Sequence, residues 1–254
     1  MKHTLLKILT IFVPVLLLLV ALQYSIFSVL SVRKQYQDIC DSAENNIPQP
    51  NEEDSTWVQL YKEKTWLESR LNSAKSDSIC LSINLKDSVI QLELKGVVLL
   101  SSPMITYSTD RLLKELTPGG YHNLFSKEVQ AINDLSTIEK VPLIIKQAPK
   151  DTIEYASQSH AVDSLPNEEV HWLMQFENGI ELHIEGSDSD LHKKIWRNKF
   201  WQKQNFATTL AKLKKTLRFE TPEYHPKIMV VISKTDAKAI YRALPEKPLI
   251  CIRM

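Results

Sequence analysis

Glycine is scarce in this chain, with 5 in 254 residues against a usual share of about 7%. Loops that cradle phosphate need glycine so that backbone can approach the ligand. Neither G-x-G-x-x-G nor G-x-x-x-x-G-K-[ST] occurs, which argues against nucleotide chemistry. Cysteine is sparse as well. Cys40, Cys80 and Cys251 form no C-x-x-C pair and no zinc spacing, and their odd number leaves at least one free thiol in an exported domain. No G-x-S-x-G elbow is present for a serine nucleophile. Charge of one sign is missing too: 31 Lys and Arg against 30 Asp and Glu leave a net charge of +1, so no global field favours nucleic acid as a partner.

Charge is wholly absent from residues 8–32, ILTIFVPVLLLLVALQYSIFSVLSV. A span of about 20 apolar residues crosses a hydrocarbon core, and a membrane helix tolerates a proline such as Pro14. The run exceeds the roughly 7–15-residue core of a signal peptide, and no A-x-A site closes it. Residues 1–35 are therefore expected to be a transmembrane anchor, with the lipid bilayer as partner of residues 8–32. Lys2 and Lys7 before the span nearly balance Arg33 and Lys34 after it. The terminal amine tips the expectation toward a cytoplasmic N-terminus, a single pass through the inner membrane and a periplasmic remainder.

Residues 36–55 are polar and acidic with two prolines, and are expected to be a tether. Residues 56–76 carry Trp57, Leu60, Tyr61, Lys64, Leu67 and Leu71 at helical spacing. They predict an amphipathic helix that starts near Ser55 or Thr56 and buries that face. Residues 77–254 form the expected globular domain. ICLSINL, VIQLELK and VVLLSSPMITYS, separated by KDS and KG, predict a three-stranded meander. Helical stretches are expected within 109–138 and strands at VPLIIKQA and EVHWLMQF. Asn178-Gly179 predicts a hairpin into IELHIEG. A long helix over 190–219, the strand KIMVVIS, a short helix begun near Asp236 and the strand LICIRM complete the pattern. The class is α+β with a mainly β core and interrupting helices.

The meander, the strand NGIELHIEG and the closing run SKTDAKAIYRALPEKPLICI resemble the catalytic domain of L,D-transpeptidases, enzymes that cross-link peptidoglycan with a cysteine nucleophile. The resemblance covers about residues 78–254. It implies a mixed-sheet fold, places His183 where the family keeps its first histidine, and puts the nucleophile just before Ser233. Aligned on Asp236, Met229 stands in the cysteine's place and Val231 in that of the arginine, with His225 nearby. A thioether has no proton to lose and cannot act as the nucleophile. The resemblance thus implies a degenerate, non-catalytic member in the cell envelope, with a binding or scaffolding role at peptidoglycan or in an envelope complex. His183, His225 and Met229 would line its pocket.

Two further groups draw attention. His183 and Glu185 share a strand face, and with Asp188, Asp190 and His192 they have the chemistry of a divalent-metal site for a hydrolase. No H-E-x-x-H accompanies them, and a polar strand end running into a capped helix gives the same pattern. No metal and no cofactor is expected. Residues 191–219 are cationic, with Lys193, Lys194, Arg197 and Lys199 followed by further lysines and no acid. Interleaved Trp196, Phe200, Trp201 and Phe206 make this helix a candidate membrane-surface module. Phe206, Leu210, Leu213 and Leu217 are expected to be its core-facing stripe.

Overall fold

A computed structural model describes residues 2–41, 55–140, 170–187 and 199–254. Six helices occur among them: α1 (Lys2–Asp41), α2 (Ser55–Ser73), α3 (Arg111–Lys114), α4 (Pro118–Phe125), α5 (Lys199–Leu217) and α6 (Lys234–Ala243). Nine strands accompany them: β1 (Cys80–Asn84), β2 (Val89–Leu94), β3 (Val97–Pro103), β4 (Thr106–Thr109), β5 (Val129–Ser136), β6 (Val170–Phe176), β7 (Glu181–Gly186), β8 (Lys227–Ile232) and β9 (Leu249–Arg253). They form one mixed sheet in the order β3-β2-β1-β9-β5-β6-β7-β8-β4.

The two edges of that order, β3 and β4, are separated by only two residues, a reach of at most about 10 Å. At this corner Met104 N donates to Ser88 O, beside β2, while Ile105 N donates to Val231 O of β8. Consecutive residues bond to opposite ends of the sheet, so the sheet curls until its edges meet. The expected single third strand is in fact β3 and β4, bent at Met104. A second corner lies in β5, whose Val129 and Gln130 pair with β9. From Ala131 on, β5 pairs with β6 instead, with a register shift between Ala131 and Asn133.

Turn chemistry follows the sequence. Lys95 and Gly96 have φ of 52° and 78°, the two left-handed residues of a type I′ hairpin between β2 and β3. Between β6 and β7, Gly179 N donates to Phe176 O and only Gly179, at φ 81°, is left-handed. The expected hairpin forms, as a three-residue loop. Ser233 caps α6 by accepting from Asp236 N at 3.1 Å.

The curled sheet has an apolar inner face and a polar outer one. Inward lie Leu81, Ile83, Ile90, Trp172, Met174, Phe176, Leu182, Ile184, Ile228 and Val230, all buried with Tyr121 and Phe125 of α4 and Ile240 of α6. Trp172 Nε1 donates to Ala237 O at 3.2 Å, tying α6 to β6. The outer face presents Ser82, Glu93, His171, Glu181, His183 and Glu185, which are buried as well. Helices α2 and α5 cover these outer positions.

Three expectations are corrected here. Residues 36–41 continue α1 rather than opening a tether, because Ile39 joins the core and accepts from Asn123 Nδ2 through its carbonyl; residues 42–54 lie outside the described residues. In α2 the sheet-facing side is Thr65, Trp66, Ser69 and Ser73, while Leu60, Leu67 and Leu71 are exposed. In α5 the buried residues are Trp201, against the sheet, and Thr216, beside Gln23 of α1, while Phe206, Leu210 and Leu217 are exposed. Both helices are inverted for one reason: the surface they cover is polar. The region 129–136, read within a helical stretch, is the strand β5. The expected strand at 141–148 lies outside the described residues.

Gly186 ends β7 where α6 crosses it. A Cβ there would lie 3.0 Å from Lys234 Cα and 3.1 Å from both Ala237 and Val170 Cβ. Gly186→Ala is predicted to destabilise the domain by about 1–3 kcal/mol through overpacking. Urea denaturation read by tryptophan fluorescence checks this; an unchanged midpoint would show that α6 can move away freely.

Candidate functional site

The outer face of β6, β7 and β8 gathers the polar side chains that the sequence singles out. His183 is the register partner of Met229 and of Leu173. The thioether and imidazole expected to share a pocket therefore lie on adjacent strands. His225 does not join them. It lies two residues before β8, about 13 Å along the strand from Met229, with Nδ1 at 3.2 Å from Gly179 O and Nε2 at 3.9 Å from Glu223.

Glu181 organises the face. Its Oε1 accepts from Gln175 Nε2 at 2.9 Å, its Oε2 lies 3.1 Å from His183 Nε2, and Lys227 Nζ is 3.6 Å away. Burial alone would raise this carboxyl, but the His183 and Gln175 hydrogen bonds and the Lys227 charge outweigh it and hold it down at about 2. His183 is itself lowered, chiefly by burial, with the Glu181 hydrogen bond opposing. A neutral imidazole donating Nε2–H to Glu181 satisfies both groups, and leaves the buried Nδ1 without a partner.

α5 closes the face. The Trp201 indole stacks on His183 with centroids 4.8 Å apart, and its Nε1 donates to Glu185 Oε2 at 3.1 Å. Phe200 packs against both Trp201 and His171. His183 and Trp201 are each 2% exposed, while Met229 beside them is half-buried, so among the described residues the imidazole itself is closed off from solvent. Sequence reasoning missed Trp201 as a cover and Glu181 and Lys227 as partners. The period of two in Glu181, His183 and Glu185 was the available signal for the second.

The remaining candidates separate. His183 and Glu185 do share a face, yet Glu181 holds the first and Trp201 the second. Among the described residues no group of three or more His, Cys, Asp or Glu is placed to hold a metal ion, and Asp188, Asp190 and His192 lie outside them. Lys193, Lys194 and Arg197 also lie outside the described residues; Lys199 begins α5, with its side chain outside them. Cys80 and Cys251 lie on adjacent strands. Their sulfurs lie 3.7 Å apart as free thiols beneath Trp66, and Ser73 Oγ is 2.8 Å from Cys251 Sγ. The contact with Cys251 and burial both push the Cys80 thiol up, while the hydrogen bond from Cys80 holds Cys251 down. Strands β5 and β6 separate this pair from β7, so neither thiol serves the His183 face.

No protein-family model, curated protein or solved structure matches the chain.

Because folding lowers His183 below its ordinary value of 6.5, the unfolded chain binds the extra proton first. The stability this group permits is complete above about pH 6.5 and is lost as pH falls below it. Glu181 acts lower, its contribution present above 4.5 and lost as pH falls toward about 2. Thermal melting across pH 8 to 4 is predicted to fall below about 6.5, with a shallower fall in His183→Gln. Equal slopes in the two proteins would contradict the buried neutral imidazole.

Proposed function

We propose that this chain is a membrane-anchored, non-catalytic envelope protein that works by binding or scaffolding. It is built on a domain that resembles the L,D-transpeptidase catalytic domain, set on the periplasmic side of the inner membrane. Among the described residues one helix, α1, is long and apolar enough over Phe12–Cys40 to cross a membrane. The observation that carries the non-catalytic part is the register of His183 with Met229 under Trp201. An imidazole supported by a carboxylate is half of an acyl-transfer device. Here its neighbour is a sulfur without a proton, and an indole covers the imidazole.

Support for scaffolding comes from α2. Leu60, Leu67 and Leu71 are 65%, 55% and 64% exposed and form a shallow apolar groove with Glu63, Lys64 and Glu68. Their spacing is that of a helix seam made to meet another apolar surface. A peptidoglycan or protein partner would therefore engage the outside of the domain rather than the His183 face.

Two measurements test this reading. Intact mass after incubation with a carbapenem or a cell-wall stem peptide is predicted to show no adduct; a thioester would overturn the non-catalytic assignment. A photo-cross-linker replacing Leu67 in living cells is predicted to give a discrete adduct that Leu60→Glu and Leu71→Glu remove. Absence of any adduct would contradict the scaffolding contact on α2.

A further inference from the structure

Crossing a hydrocarbon core takes about 20 helical residues, or about 30 Å at 1.5 Å per residue. In α1 the charge-free run starts at Ile8. From Phe12 to Leu19 every described side chain is exposed, but from Val20 one side is covered at 23–24, 27–28, 31–32, 35–36 and 39–40. The exposed stretch, 12–19, is only about 12 Å long. A bilayer entered at Ile8 must therefore extend to about Phe27, beside a part of the domain that already touches α1.

That part is the end of α5. Gln23, the polar residue of this stretch nearest its middle, donates from Nε2 to Thr216 O at 2.8 Å, which satisfies an amide that lipid could not. Ser31 Oγ then donates to Pro222 O at 2.6 Å, fixing the segment after α5 along the same helix. Around the Gln23 contact the surface is apolar: Leu217 is 52% exposed and Phe219 77%. Phe206 and Leu210, 70% and 56% exposed, continue the stripe along α5, on the side opposite Trp201, Lys212 and Thr216. Lys203, Lys214 and Arg218 are exposed beside it. Apolar side chains flanked by cations are the pattern of a helix lying in the headgroup–acyl boundary of an anionic membrane.

We infer that the outward face of α5, from Phe206 through Leu217 to Phe219, rests in the interfacial layer of the same bilayer that α1 crosses. The domain is then seated on the membrane by two helices rather than hung from one. The inference rests on α1 being a membrane span and deepens that part of the proposed function. Phospholipid is the occupant of the stripe, with the cations meeting its phosphates.

Nitroxide labels on the full chain test it, reconstituted in vesicles of mixed zwitterionic and anionic phospholipid in a Cys40→Ser background. Single variants Phe206→Cys, Leu210→Cys, Leu217→Cys and Phe219→Cys report on α5, Leu16→Cys on α1, and Asp87→Cys on the aqueous side. Collisions with oxygen are expected to exceed those with a water-soluble nickel chelate several-fold at Leu16, Phe206, Leu210, Leu217 and Phe219, with the reverse at Asp87. An aqueous signature along α5 with a lipid signature at Leu16 would overturn the inference and leave the anchor standing. Shielding from both reagents along α5 would overturn it in favour of a protein contact. An aqueous signature at Leu16 would overturn the anchor and the inference together.

Discussion

The polarity of the outer sheet face governs the rest of the molecule. Curling places the large apolar side chains of the central strands inside, with Trp172, Phe176 and Ile184 among them, and alternation forces their neighbours outward. Those neighbours include Glu93, Glu181, His183 and Glu185, which are buried all the same. Burying such groups without partners costs several kcal/mol each (order of magnitude). The covering helices must therefore turn polar or hydrogen-bonding sides inward. α2 does so with Arg70, bonded to Glu93 at 3.0 Å, and α5 does so with Trp201, bonded to Glu185. Their leucines are left facing out.

This inversion explains why some of the fold was legible in the sequence and some was not. Strand alternation, the Lys95-Gly96 turn, the Asn178-Gly179 turn and the Ser233 cap are local chemistry, and each forms where the residues indicate. The apolar stripes of α2 and α5 were equally visible, but a stripe only says that a face avoids water. Whether it meets the sheet, a partner or lipid depends on what the opposite surface offers, and that surface is assembled from strands distant in sequence. β5 was hidden because Val129–Ser136 mixes polar and apolar residues while bending between two sets of partners. The curl of the sheet was hidden as well: Pro103 marks a break in the third strand, but not that its two halves pair at opposite ends of the sheet.

For the candidate site, alternation correctly put His183 and Glu185 on one side of β7, and the neighbouring strand brought Met229 to His183. What the sequence could not disclose is the cover. Trp201 belongs to a cationic, aromatic stretch that reads as a surface. Its indole combines a broad apolar face for the imidazole with an N–H for the carboxylate, a pairing suited to closing a polar patch. The same helix then turns Phe206, Leu210 and Leu217 outward beside α1. On the proposed seating, this one element ties the sealed face of the domain to the membrane.

The sealed face is the claim on which the functional reading stands, and histidine modification measures it directly. Diethyl pyrocarbonate attacks neutral imidazoles that water can reach. On the native full-length protein, peptide mapping is expected to find His225, whose side chain is 34% exposed, modified well before His183, whose side chain is 3% exposed. Modification of His183 at a rate comparable to His225 would mean that the face opens, and would contradict the account.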